Sequence, residues 1–253
     1  MPLFGAMDVD AALASAPLVE HLVEQGWQLP GAHLLQLSYE VEHAGASVLT
    51  PPSLHPSVPP YATLSALRCP DSPLGPFTRA QVRLVVRAGI RPRALLLGAY
   101  CSSAPVADAL AQGWGWTVRA ADVSFAARHD SVRASVVVDG RTVLEIEAAD
   151  GEPVGAGDLT LLDNLHLVRL VEGDGPASGA IIQIDPIHTL STVDRARPVL
   201  RTFEPDAFGC RGHLRLTSPV TAIACRADIE LPRPRFLIDT RVPALQSSRR
   251  IAR

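Results

Sequence analysis

The sequence predicts a mainly β protein, with many antiparallel strands closing or nearly closing on themselves and only a few peripheral helices. Three observations carry this. Some ten short β-prone runs, from YATLSALR to CRADIELP, are separated by turn signals. An Asp-Gly turn at Asp139-Gly140 joins SVRASVVV to RTVLEIEA, the strongest short hairpin signal in the chain. A single well-marked helix interrupts the series, in SSAPVADALAQGWG, where Ser103 can act as N-cap and Gly113 as stop. Many short strands with few helices fit a barrel better than a layered α/β fold.

The elements follow in order. DVDAALASAPLVEHLVEQGWQLPG has apolar residues near helical spacing, with Asp8 or Asp10 as N-cap and Pro17 as a break. Residues 1–30 are accordingly read as a helical N-terminal appendage. HLLQLSYEVE is strand-like, and LTPPSLHPSVPP is a proline-rich loop held to one surface. The β-prone runs then proceed from Tyr61, and RARPVLRTFEPDAFG is read as another helical turn or two. The tail 246–253, with three arginines, is expected to fray. All 253 residues are taken as one domain.

Composition excludes several functions. A net charge of −3, without a basic stripe interleaved with aromatics, argues against nucleic acid. No apolar run approaches the ~18 residues of a membrane span, and MPLFGAMDVD lacks the features of a signal peptide. Cys69, Cys101, Cys210 and Cys225 are scattered, without metal-ligand spacing, and are expected to be reduced thiols in a cytoplasmic protein. No cofactor and no metal is expected, since neither a glycine-rich phosphate cradle nor a ligand cluster occurs. All 23 basic residues are arginine. Without lysine, no side-chain amine can form a Schiff base with a carbonyl substrate.

The order LTPPSLHPSVPP, CPDSPLGPFTRAQVR, RPRALLLGAY and then GWGWTVR, with DNLHLVRL and ADIELP behind it, resembles the acetoacetate decarboxylase superfamily over residues 33 to 235. The resemblance implies a mostly antiparallel, cone-shaped β-barrel with peripheral helices, a small-molecule substrate and a homo-oligomer. That superfamily carries a Gly-aromatic-Pro-Lys-Lys segment; its first lysine forms the Schiff base and its second activates the first. The matching stretch here is Gly115-Trp116-Thr117-Val118-Arg119. Val118 stands at the nucleophile's place and Arg119 at its neighbour's. A family glutamate beside a threonine falls at Arg79 or Gln81, depending on a one-residue gap, and an earlier glutamate falls near Ser65.

Several residues become candidates. Arg119 is a permanent cation that can clamp a carboxylate or stabilise an enolate; its structural alternative is a surface ion pair with Asp122 or Asp108. In QVRLVVR, Gln81 and Arg83 share one strand face and Val82, Leu84 and Val86 the other, so the two polar residues contact substrate if that face looks inward. His166 in NLHLVRL is a candidate proton carrier or a hydrogen-bonded structural residue. Trp114 and Trp116 cap a hydrophobic ligand or plug the barrel end. Glu145 and Glu147 share one strand face, read as solvated. The expected site therefore has Arg119, Gln81 and His166 as catalytic groups and Arg79, Arg83, Trp116 and Val118 as substrate contacts. The expected function is a Schiff-base-independent lyase or isomerase (a cyclase, dehydratase or decarboxylase) acting on an oxo-acid or polyketide-like molecule in specialised metabolism. The alternative is a binding protein that has lost its chemistry.

Overall fold

The computed structural model describes residues 3–159, 161–173 and 175–251. In chain order, α1 (Val9–Leu13), β1 (Leu18–Val19), β2 (Trp27–Val41), α2 (His43–Val48), β3 (His55–Pro56) and β4 (Tyr61–Cys69) precede the centre of the molecule. The centre is β5 (Phe77–Ala88), β6 (Arg91–Cys101), α3 (Ala104–Trp114) and β7 (Val118–Ala120). There follow β8 (Asp122–Ala127), β9 (Ser131–Val138), β10 (Arg141–Pro153), β11 (Asn164–Leu170), β12 (Ser178–Ile184) and β13 (Ile187–Phe203). β14 (Leu216–Leu231), β15 (Phe236–Asp239), α4 (Ala244–Ser247) and β16 (Arg249–Arg250) end the chain.

The protein is mainly β, as expected. Its strands form one long sheet in the order β16-β15-β12-β11-β6-β5-β4-β2-β14-β13-β10-β9-β8, with β1, β3 and β7 as side branches. Two features differ from a purely antiparallel barrel. The hydrogen-bonded path among the described residues runs between two free ends, β16 and β8, and three pairings are parallel: β1 with β11, β11 with β6, and β7 with β6. The parallel pairs arise at β6, which holds β11 at Ala94 and Leu95 but β7 from Ala99 to Cys101. Between these two neighbours the sheet is open at Leu96–Gly98. Leu97 is also the extra residue of a bulge opposite β5, because Val82 pairs with Gly98 and Arg83 with Leu96.

Alternation along the strands divides the interior into two cores. Ala80, Val82, Leu84 and Val86 of β5 enter one, which the β8–β10 end covers with Val123, Val136 and Ile146. Phe77 enters the other, walled by α3, Trp116, Val168, Ile182 and Leu237. Period-2 geometry puts Arg79, Gln81 and Arg83 on this second face.

The Asp-Gly hairpin forms as expected, with φ of 50° at Asp139 and 76° at Gly140, joining β9 to β10. Several expectations need correcting. The N-terminal appendage is helical only from Val9 to Leu13, where Asp8 caps it by accepting from the Ala11 amide at 3.1 Å. After Pro17 the chain becomes β1, because Leu18 and Val19 find strand partners in Arg169 and Leu170. The tail does not fray over 246–251: it forms part of α4 and then β16, whose Arg249 pairs with Leu237. Residues 252 and 253 lie outside the described residues. RARPVLRTF is strand, held against β10 through Pro198 opposite Ala148, and only Pro205–Phe208 turns as a short 3-10 helix. The central helix runs one residue past Gly113 and stops at Gly115, whose φ is +71°. A Cβ there would lie 2.3 Å from Val168 Cγ1, so only glycine fits. No helix among the described residues is long and apolar enough to cross a membrane.

Candidate functional site

Strand register brings distant residues into one line on the second face. Gln36 of β2 pairs with Ser65 of β4, Ser65 with Gln81 of β5, Gln81 with Ala99 of β6, and Ala99 with Val118 of β7. Directly opposed residues point to the same side of a sheet. The positions that sequence resemblance assigns to a nucleophile and two acids are thus neighbours in this row, occupied by Val118, Gln81 and Ser65. Gln81, rather than Arg79, stands in the row. None of the three side chains is an amine or a charged acid.

Beside this row lies a small cavity of about 40 Å³, lined by Arg79, Gln81, Arg83, Trp116, Asn164 and His188 among apolar side chains that include Leu161 and Leu162. Arg83 is buried and its guanidinium is fully engaged by neutral acceptors. Nε donates to Thr63 Oγ1 (3.3 Å), Nη1 to Asn164 Oδ1 (2.8 Å) and Nη2 to Gln36 Oε1 (2.6 Å). Arg79 is buried too, with its guanidinium carbon 3.7 Å from the centroid of the Trp116 ring. It makes no hydrogen bond among the described residues, and its Nε is fully enclosed without a partner. Among the described residues no carboxylate pairs with either arginine. Burial pulls both down to about 10, with the charge of Arg79 adding to the effect on Arg83. Both remain cations at neutral pH.

Unmet polar groups concentrate here. Of the eight buried side-chain nitrogen and oxygen atoms without a partner among the described residues, five belong to Ser65, Arg79, Gln81, Trp116 and His166. Such atoms ordinarily cost ~1–3 kcal/mol each when left unpaired. Three of the five residues, Arg79, Gln81 and Trp116, line the cavity.

The expected site residues divide accordingly. Arg79, Gln81, Arg83 and Trp116 are brought together. Val118 lies at the end of the row and packs on the second core. Arg119 is not with them. As the next residue along β7 it points to the other face, is exposed, and donates from Nη2 to the Tyr100 hydroxyl at 2.6 Å with its guanidinium over that ring. His166 is buried behind Trp116 and does not line the cavity. Its Nδ1 donates to the Trp114 carbonyl at 2.9 Å, and its ring meets the indole of Trp116 edge-on at 4.7 Å. Burial first, then the Arg79 and Arg83 charges, hold its imidazole down to about 3, so it is neutral and poorly basic. The two indoles are not equivalent: Trp114 is a core residue anchored through Nε1 to the Pro232 carbonyl at 2.8 Å.

Gln36, Thr63, Asn164 and His188 were not legible as site residues. Gln36 and Thr63 carried a faint signal, as polar residues at alternate positions of apolar strands. His188 lines the cavity, and burial followed by the Arg83 and Arg79 charges lowers it to about 4. Among the described residues no group of His, Cys, Asp and Glu could hold a metal. All four cysteines are buried free thiols.

A second, larger chamber of about 580 Å³ lies on the other side of Trp116, at the opening beside Leu96–Gly98. It is lined by Leu97, Thr117, Val118, Leu167 and Phe208, with Ala12 of α1 and Ala111 of α3 on its walls and Arg119, Asp206 and Arg211 among its polar groups.

The family model described as acetoacetate decarboxylase (ADC) matches residues 16–183. Among solved structures, acetoacetate decarboxylase from Legionella pneumophila is similar with a TM-score of 0.73 at 14% identity, covering 83% of this chain and 86% of that one. An enduracididine biosynthesis enzyme complexed with pyruvate aligns with a TM-score of 0.67 at 14% identity, over 91% of this chain and 92% of that one. An acetoacetate decarboxylase-like enzyme from Sphingomonas wittichii RW1 aligns at 0.58 and 14% identity, over 82% and 92%. No curated protein matches the sequence.

Proposed function

This chain belongs to the acetoacetate decarboxylase family, and from that premise we propose that it is a lyase-type enzyme that acts on the carboxylate of a small oxo acid without a covalent amine intermediate. The observation that carries the reading is Arg79: a buried cation, stacked on Trp116 and lining a cavity, with no partner of its own. A planar guanidinium matches a carboxylate with two parallel hydrogen bonds. Arg83 adds a second positive charge whose fork is already fixed by neutral side chains. The cationic role that the motif suggests for Arg119 therefore passes to Arg79.

A 2-oxo acid held by Arg79 brings its oxo oxygen near Gln81, whose Oε1 is buried without a partner among the described residues and whose amide nitrogen is a donor. Donation from Gln81 stabilises that oxygen as it becomes an enolate. The imidazole lining the cavity is His188, so the proton-carrier role moves there from His166, which instead positions Trp116. An empty cavity keeps His188 neutral partly through the nearby arginine charges. A bound carboxylate offsets those charges and makes His188 a better base when substrate is present. The pyruvate complex of one structural neighbour supports the choice of an oxo acid.

Calorimetric titration with pyruvate and acetoacetate, comparing the parent with Arg79→Met, tests the clamp. Loss of one charged partner costs ~2–5 kcal/mol, so binding falls by about 30- to several thousand-fold. Unchanged affinity in the variant refutes the assignment. Borohydride added with either acid leaves the mass of every side chain unchanged, since no lysine exists. The binding-protein reading has one observation in its favour: both histidines beside the arginines are held far below neutral pH. His188→Gln separates the two. Turnover lost with affinity kept supports the enzyme, whereas a parent that binds without consuming any oxo acid supports the binder. The family also motivates proposing a homo-oligomer, which light scattering tests against the 26.9 kDa of one chain.

A further inference from the structure

We infer that Trp116 is a partition between a head-group pocket and a chamber for the rest of the substrate, so that the natural substrate is a carboxylate attached to an extended apolar body. This rests on the carboxylate reading of the inner cavity. The inner cavity, about 40 Å³, has room for about three water molecules, the size of a short oxo-acid head group, and not for a longer chain. The outer chamber, about 580 Å³, has the size of an ordinary small-molecule site. Trp116 alone belongs to both linings.

The two buried indoles are held in different ways. Trp114 is pinned by its Nε1 bond to the Pro232 carbonyl, whereas Trp116 Nε1 has no partner, and its ring is held by stacking with Arg79 and an edge contact with His166. A carboxylate that engages Arg79 lies in the guanidinium plane, so the stacked indole stays beside the head group with the chamber beyond it. The chamber beyond offers apolar surface from Leu97, Val118, Leu167 and Phe208. Val118 acquires a reason in this arrangement: at the position where relatives place an amine, it supplies apolar wall. The gap in the sheet at Leu96–Gly98 opens the chamber beside the row that carries Gln81.

The test compares pyruvate with 2-oxooctanoate, which carries the same head on a longer chain, by calorimetry on the parent, Ala12→Trp and Ala111→Trp. Each variant fills the outer chamber from a half-buried helix position and leaves the inner lining untouched. In the parent, 2-oxooctanoate binds at least tenfold more tightly than pyruvate, since each buried methylene adds affinity. In both filled variants that advantage disappears and pyruvate affinity stays as in the parent. An advantage that survives in both variants, or none in the parent while pyruvate binding depends on Arg79, overturns the partition and leaves the carboxylate clamp standing. Pyruvate binding that ignores Arg79→Met overturns the clamp itself, and the partition falls with it.

Discussion

Two arginine clusters in this protein use the same residue in opposite ways. On the outer face of β9, β10 and β13, Glu147 accepts from Arg133 Nη2 at 2.9 Å and from Arg201 Nε at 3.0 Å and Nη2 at 2.8 Å, with Glu145 nearby. The Arg201 and Arg133 bonds outweigh the cost of burial and hold the Glu147 carboxyl below its usual value. There the charges balance within the fold. In the inner cavity Arg79 and Arg83 are more deeply buried than Arg133 and Arg201, and no carboxylate among the described residues pairs with them. Folding has no use for an unpaired buried cation, whose desolvation is costly. The contrast teaches that a satisfied cluster belongs to the architecture and an unsatisfied one belongs to a ligand.

The sharpest way to break this comparison is Arg79→Met, followed by stability rather than by binding. Replacing a charge that only a ligand satisfies removes a desolvation cost, so the unliganded variant is more stable than the parent, by about 1–2 kcal/mol. Denaturant unfolding without oxo acid measures this. A destabilised variant means that Arg79 is an architectural residue like those around Glu147.

Acid probes the same cavity through His166. Its folded pKa, about 3, lies below its ordinary 6.5, so the unfolded chain binds the proton more readily. The corresponding stability is complete above pH 6.5 and is lost progressively as pH falls towards 3. Between pH 7 and 5 the loss is on the order of 2 kcal/mol, with His188 adding in the same direction. In His166→Gln the slope of stability against pH over this range becomes shallower. A slope identical to the parent's means that His166 is not held neutral. Bound pyruvate should flatten the slope as well, because its charge opposes the arginines.

The smallest effect is expected at the outer cluster. Glu147→Gln keeps shape and some hydrogen bonding, and should cost about 1 kcal/mol or less, diminishing in high salt, with no change in pyruvate affinity. A change in affinity would couple the outer cluster to the site and erase the distinction.

Much of this was legible beforehand for identifiable reasons. The alternation in QVRLVVR separated Gln81 and Arg83 from Val82, Leu84 and Val86, and the fold kept that separation. The Asp139-Gly140 turn was legible because its backbone demands are local. The motif reading put Val118 and Arg119 side by side, but neighbouring residues on a strand face opposite ways: with Val118 in the row, Arg119 stands apart from it, among the polar groups of the outer chamber. The helical reading of RARPVL failed because a long-range partner, β10, outweighed local preference. His166 was legible as a proton carrier or a hydrogen-bonded structural residue, but not as a residue set behind an indole.

The sequence by itself determined the chemistry that is impossible here, since a chain without lysine has no side-chain amine whatever its fold. It also determined which side chains travel together, because the period of a strand is a local property. Only the tertiary structure decided which of the two faces became a cavity. That choice depends on what covers each face, and the covering residues, Trp116, Asn164, His188 and Leu231, come from elements separated by many tens of residues. Register between β4, β5, β6 and β7 placed Ser65, Gln81 and Val118 side by side. A one-residue slip in any of those pairings would have turned the site outward, and no local pattern in the chain sets that register.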